Sequence, residues 1–140
     1  LELSLLFANE IFSVYLTQKW PIDLVVPTPI SRERRNERGY NQTEWVARTF
    51  AIRAELPYSA TGLQKLRETE SQSSLNEAER RRNLDGAFKA ERITVQGKSI
   101  LVVDDVLTTG TTMNECARAL KKAGAGSVYG LTIAATKNRV

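Results

Sequence analysis

The sequence predicts an α/β domain, a central and mostly parallel sheet of about five strands with helices on both faces. Three observations lead there. The run Ile100-Leu-Val-Val103 is continuously apolar, rich in β-branched residues and too short for a helix, as expected of a strand buried on both faces in a parallel sheet. Directly after it, Met113, Cys116, Ala117 and Leu120 fall at i, i+3, i+4 and i+7, an apolar helical stripe that stops before Gly124, a C-cap residue. Two further apolar runs, Asp23 to Val26 and Val128 to Ala135, are separated by helical patterns, so strands alternate with helices along the chain.

Taken in order, Leu3, Leu6, Phe7, Ile11, Val14 and Tyr15 mark an amphipathic helix that ends before Trp20-Pro21 and lays its apolar face on the sheet. Asp23 to Val26 is a short buried strand, and Pro27 and Pro29 impose a stiff, extended loop just past its end. Tyr40, Trp45, Val46, Ala47, Phe50 and Ala51 keep helical spacing up to a turn at Pro57, with Trp45 and Phe50 read as core. Leu63 to Leu66 reads as a strand of an antiparallel excursion, and Ser74-Leu-Asn-Glu77 as a capping box opening a helix through Arg80-Arg-Arg82. Between them, Arg67 to Ser74 has few apolar anchors, which suits either a mobile lid over substrate or a surface loop without function. Two strands around a Gln96-Gly97 hairpin turn, the second being the acidic one, and the last strand complete the sheet. Gly97-Lys-Ser99 is like the end of a nucleotide-binding P-loop, but Arg92 stands where the first glycine belongs and the segment precedes its strand.

The joint between strand and helix carries chemistry. Ile100-Leu-Val-Val-Asp-Asp-Val-Leu-Thr-Thr-Gly-Thr-Thr112 sets two adjacent carboxylates and a hydroxyl-rich glycine turn where α/β units bind ligands, beyond a strand's carboxyl end and against a helix N-terminus. Carboxylates repel bare phosphate but accept hydrogen bonds from sugar hydroxyls, so the combination suits a phosphorylated ribose. Gly110 permits a tight turn and close approach of the backbone, the hydroxyls of Thr108, Thr109, Thr111 and Thr112 add donors, and Asp104 and Asp105 face the ribose. A simpler reading, a strand end followed by a turn with Thr111 or Thr112 as N-cap, accounts for either half alone. Both halves together, in this order between a strand and a helix, favour the ligand reading over it.

This segment resembles the phosphoribosyl-pyrophosphate signature of type I phosphoribosyltransferases. Val26-Pro-Thr-Pro-Ile-Ser31, the Arg-Gly-Tyr-Asn-Gln segment from Arg38 to Gln42, and Arg67-Glu-Thr-Glu-Ser-Gln-Ser-Ser-Leu75 resemble, in that order, the ComF/GntX branch of the family, so the resemblance runs from residue 22 to residue 140. It implies that Asp104 and Asp105 hold the ribose hydroxyls and that Thr108, Thr109, Gly110, Thr111 and Thr112 bind the 5-phosphate. It further implies that Thr28, Pro29, Ile30, Ser31 and Arg32 form the pyrophosphate loop, and that Arg67 is the cation of a flexible catalytic loop. Asp104, Asp105 and Arg67 are the catalytic candidates. Mg²⁺ is expected to enter with the ligand, and no protein residue is assigned as its ligand. Two departures stand out. Members of this branch commonly carry an N-terminal four-cysteine zinc module and a histidine at the position of Ser31, whereas this chain has one cysteine and no histidine. Residue 1 is Leu, so a front end outside this chain and a module that never existed both stay open.

A length of 140 residues with 41% hydrophobic content suits a single phosphoribosyltransferase-like domain spanning the chain. No apolar run approaches the roughly 18 residues needed to span a membrane, and the start lacks a signal-peptide pattern, so a cytoplasmic protein without membrane insertion is expected. The absence of histidine excludes Ser-His-Asp and Cys-His catalysis and His-ligated metals within this chain. Cys116 lies on the apolar stripe of its helix and is expected to be an inert buried thiol. The net charge of +4 is densest at Arg32 to Arg38 and Arg80 to Arg82, which permits a polyanion partner, but a solvated helix face is the favoured reading, since Glu33 and Glu37 dilute the first cluster and Glu77 can pair with Arg81 at i+4.

The implied reaction is displacement at the anomeric carbon of 5-phosphoribosyl 1-pyrophosphate by an unknown nitrogen acceptor, with release of pyrophosphate. Two alternatives of other classes stay open: a non-catalytic sensor of the same ligand, and a competence-related module or scaffold that binds single-stranded DNA. The short chain leaves little sequence for a C-terminal lid, so the acceptor pocket is expected from the N-terminal region or from the partner subunit of a homodimer.

Overall fold

The structure, a computed structural model, describes residues 2–30, 42–66, 76, 78, 79, 82, 86–104 and 111–132. Three parallel strands form the central sheet in the order β1 (Leu24–Pro27), β4 (Ser99–Asp104), β5 (Ser127–Thr132). Leu24 pairs with Ile100 and Ser99 with Ser127, so the apolar run Ile100 to Val103 occupies the middle strand and is fully buried. Burying each such side chain contributes roughly 1.5–3 kcal/mol. An extended segment adds to the outer edge of β1: the Val25 N–H donates to the Pro57 carbonyl at 2.9 Å and the Ser59 N–H to the Val25 carbonyl at 3.0 Å.

Alternation along the strands sends side chains to two separate cores. Val25, Leu101 and Val103 meet helices α1 (Glu2–Gln18) and α2 (Gln42–Ala54) on one face. Leu24, Val26, Ile100 and Val102 meet α4 (Thr111–Lys122) and an antiparallel pair, β2 (Leu63–Lys65) with β3 (Phe88–Ala90), on the other. The α/β class with helices on both faces therefore stands, and so does the antiparallel excursion. Among the described residues the five strands divide into a sheet of three and a sheet of two rather than forming one sheet. The last strand is described to Thr132, and the remainder of the expected span to Ala135 lies outside the described residues.

Several local expectations need correction. In α1, Phe7, Ile11 and Tyr15 pack against the core with Ala8, while Leu6 and Val14 face solvent, Leu6 at 64% exposure. Leu6 is separated from the Ile11 line by five steps of about 100°, which carries it to the far side of the helix. The side chain of Leu3 is not among those described. Trp45 is 43% exposed and is not core, because the buried stripe of α2 is Thr43, Val46, Ala47, Phe50 and Ala51, and position 45 falls opposite it. Phe50 is buried as expected, with the Tyr15 ring edge-on at 5.4 Å.

The Gln96-Gly97 hairpin is absent. Arg92–Val95 is a single helical turn, α3, and the strand before it, β3, pairs with β2 instead of β4. A strand would put Ile93 and Val95 on one face; the turn buries Val95 and leaves Ile93 88% exposed. Gly97 adopts φ +76°, a conformation that favours glycine, and its N–H donates to the Gly124 carbonyl at 2.8 Å. Ser74 and Glu77, the expected capping pair, lie outside the described residues, and a reciprocal pair is described between Asn76 and Glu79. The Asn76 N–H donates to the Glu79 carboxylate at 3.0 Å and the Glu79 N–H to the Asn76 side-chain oxygen at 2.8 Å. No helix among the described residues is long and apolar enough to cross a membrane.

Candidate active site at the carboxyl ends of the parallel strands

The parallel register brings the ends of β1 and β4 together. The Thr28 N–H, one residue past β1, donates to the Val103 carbonyl at 2.8 Å, which sets Thr28 beside the start of the acidic pair. Asp104 is the last residue of β4, paired with Thr132 of β5, and is 5% exposed. A buried carboxylate is costly unless neighbouring groups compensate it, and this one stands at a strand's carboxyl end, where α/β folds commonly place ligands.

Helix α4 starts at the same edge. Its first turn carries no acidic side chain and its last turn carries Lys121 and Lys122, the charge order that a helix dipole favours. Thr112, half-buried, lies in that first turn. Cys116 in the second turn is buried, as expected of an inert thiol, and burial pushes its pKa far above the ordinary 9.0. The Asp104 charge pushes it further in the same direction and Lys65 opposes it, so the carboxylate and the ammonium both lie within electrostatic reach of this point in α4.

Pro27, Pro29 and Ile30 line a cavity of about 200 Å³ together with Glu44, Leu63 and Lys65. The Pro-rich exit from β1, the first turn of α2 and the end of β2 thus converge on one space. Of the expected site residues, Thr28, Pro29 and Ile30 follow β1, Asp104 ends β4, and Thr112 lies in the first turn of α4. Ser31, Arg32, Arg67, Asp105, Thr108, Thr109 and Gly110, and the side chain of Thr111, lie outside what the structure describes. Among the described residues no three His, Cys, Asp or Glu side chains converge to hold a metal ion.

Sequence reasoning missed Glu44 and Lys65. For Lys65 a signal existed: in a strand it shares a face with Leu63, which is buried, and a lysine on an inward face is uncommon. Its ammonium lies 5.9 Å from the centroid of the Phe88 ring. Glu44 carried no such signal, since its place at the cavity follows from the packing of α2 against β1.

The family model for the phosphoribosyl transferase domain matches residues 23–139. The chain belongs to the phosphoribosyl transferase domain family. It is 34% identical over 106 residues to the DNA utilization protein YhgH of Escherichia coli O157:H7, covering 76% of this chain and 46% of that protein. It is 33% identical over 111 residues to the competence protein ComFC of Bacillus subtilis, covering 79% of this chain and 43% of that one. The chain thus spans about half the length of the curated relatives that it matches, and these relatives bear out the resemblance to the ComF branch. Among solved structures, glutamine phosphoribosylpyrophosphate amidotransferase from B. subtilis superposes with a TM-score of 0.58 at 24% identity, covering 89% of this chain and 26% of that chain. That likeness establishes the fold.

Proposed function

We propose that this phosphoribosyl transferase domain binds 5-phosphoribosyl 1-pyrophosphate across the carboxyl ends of β1 and β4 and transfers the phosphoribosyl group to a nitrogen acceptor, releasing pyrophosphate. The observation that carries the reading is the buried Asp104 at the end of the middle strand, beside Thr28 and at the edge where α4 begins. In this reading the carboxylates of Asp104 and Asp105 accept hydrogen bonds from the ribose hydroxyls. Their charge stabilises the positive charge that develops on the ring as the bond to pyrophosphate breaks, as carboxylates do in glycoside chemistry. Backbone N–H groups and hydroxyls from Thr108 to Thr112 hold the 5-phosphate at the helix N-terminus. Thr28 to Arg32 meet the pyrophosphate, and Arg67 offsets its charge as it leaves.

Mg²⁺ prefers oxygen donors and keeps several waters, so it would enter with the ligand, and no residue of this chain is assigned to hold it. Bound together with the ligand, Mg²⁺ supplies charge neutralisation at the leaving pyrophosphate.

Calorimetric titration of 5-phosphoribosyl 1-pyrophosphate with and without Mg²⁺, on wild type and on the Asp104→Asn/Asp105→Asn variant, tests the reading. Magnesium-dependent binding that the variant loses is the expected result, followed by pyrophosphate release when nitrogen acceptors are screened. Binding without release for any acceptor would make the domain a sensor. A folded wild type that binds no ligand would sink both readings.

Exposed Trp45 favours a second reading. Trp45 and Arg48, one turn apart, share the outer face of α2, opposite the buried stripe, which is the pairing of stacking surface and cation that single-stranded nucleic acid uses. In this reading the domain, like the relatives named for competence and DNA utilization, serves DNA. Salt-dependent binding of oligothymidylate, weakened by Trp45→Ala and by changing Arg34, Arg35 and Arg38, is its expected signature. Equal affinity in all these variants would remove it.

A further inference from the structure

A second cavity, of about 580 Å³, lies away from the strand ends, in the groove between β3 and the last turns of α4. Its volume falls within the range of small-molecule sites, roughly 300–1,000 Å³. Phe88, Ala90 and Ala123 form a buried apolar floor, and Ala119 extends it along α4. Residues 119 and 123 are four apart, so two alanines share one helix face and keep that wall of the groove low. The rim is cationic. Among the described residues, Lys89, Arg92 and Lys122 line the cavity against a single carboxylate, Glu91, which accepts a hydrogen bond from the Thr94 hydroxyl. Arg92 is steadied by donating through Nη2 to the Lys122 carbonyl at 3.5 Å.

The cavity runs back from the proposed transfer site, which it adjoins only where Phe88 pairs with Lys65. Ala119 follows Thr112 by seven residues, about 10 Å along the helix axis, and so lies well below the edge that holds Asp104. Two of the three cations, Arg92 and Lys122, also serve the carboxyl end of α4, where positive charge is favoured. Lys89 is on a strand and has no such duty, and the apolar floor has no electrostatic purpose. The combination of an apolar slot with positive charge on its lip is complementary to an amphiphilic anion.

We infer that this groove is a second ligand site, taking a small molecule with an aromatic body and one anionic group, the ring on Phe88 and the alanine strip and the anion toward Lys89 and Lys122. Its occupancy is independent of whether the domain catalyses transfer.

The probe is 8-anilinonaphthalene-1-sulfonate, titrated by fluorescence into the 140-residue chain, with the uncharged N-phenyl-1-naphthylamine as comparison. Amide shifts in ¹H–¹⁵N spectra should centre on Leu66, Phe88 and Ala123, and the neutral compound should bind more weakly. Reversing the rim charge with Lys89→Glu and Lys122→Glu, both exposed positions, should weaken the sulfonate about tenfold and leave the neutral compound unchanged. Ala119→Phe, which fills the slot, should abolish binding of both. Should that variant fold poorly, the charge reversal still decides. Unchanged affinity in the charge-reversed protein, shifts centred on the exposed Leu5 and Leu6 of α1, or a groove filled by a second copy at doubled hydrodynamic mass would each overturn the assignment.

Discussion

Asp23 and Ser99 are joined twice, the Asp23 N–H donating to the Ser99 carbonyl at 2.8 Å and the Ser99 N–H donating to the Asp23 carboxylate at 2.9 Å. This clasp sits at the amino ends of β1 and β4 and sets the register that pairs Leu24 with Ile100. Through that register it also decides that Thr28 meets the end of β4 at the opposite edge. Asp23→Ala should lower stability by about 0.5–1.5 kcal/mol in urea unfolding, because a backbone donor loses its partner. Asp23→Asn, whose amide oxygen still accepts, should recover most of the loss. Equal destabilisation by both would mean that the carboxylate acts by charge alone.

Cys116 yields a pH prediction. Its thiol titrates far above 9.0 in the folded protein, so between that value and the folded one the native state holds a proton that the unfolded chain releases. Unfolding then becomes easier as pH rises, with a limiting slope of about 1.4 kcal/mol per pH unit. The contribution is complete below pH 9.0 and declines above it. Unfolding free energies of wild type and Cys116→Ala, measured on both sides of that value, should diverge in slope; parallel curves would count against the burial of the thiol. Native Cys116 should also resist alkylation until the protein unfolds.

Gly130 and Met113 give a packing prediction. A Cβ on Gly130 would lie 2.9 Å from both Sδ and Cε of Met113, in the first turn of α4. The end of a methionine side chain can give way, so Gly130→Ala should cost only about 1 kcal/mol. Removing the obstacle with Met113→Ala should cancel that increment in a double-mutant cycle. Purely additive effects would show that the two side chains do not compete for this space.

Lys65 tests the proposed ligand edge. Lys65→Met keeps the length of the stem against Phe88 while removing the ammonium, so stability should change little. Affinity for 5-phosphoribosyl 1-pyrophosphate should fall about tenfold if the cation faces the pyrophosphate. Unaltered affinity would remove Lys65 from the site and leave its role to packing.

Much of this molecule was legible along the chain. Ile100 to Val103 announced a strand buried on both faces, and the stripe Met113, Cys116, Leu120 announced the helix behind it. Both signals are periodicities within a few residues, which survive whatever the rest of the chain does. The order of carboxylates, glycine and threonines between them pointed to the ligand edge for the same reason.

Patterns with few apolar anchors were less decisive. Ile93 and Val95 fit a strand on paper, yet one helical turn buries Val95 and frees Ile93. Trp45 read as core until the stripe of α2 turned it outward. Hydrophobicity proposes positions; packing selects among them.

By itself, then, the sequence determined the α/β class and the principal strands and helices, and it singled out the segment from Asp104 to Thr112 as the candidate for the proposed chemistry. Tertiary structure alone decided that Thr28, Lys65 and Asp104, far apart in the chain, gather at one edge, and that β3 and α4 leave an apolar groove with a cationic rim. The division has a physical cause. Element type follows from contacts within a turn or two, whereas a site or a groove follows from strand register and helix packing between distant segments, which no local pattern encodes.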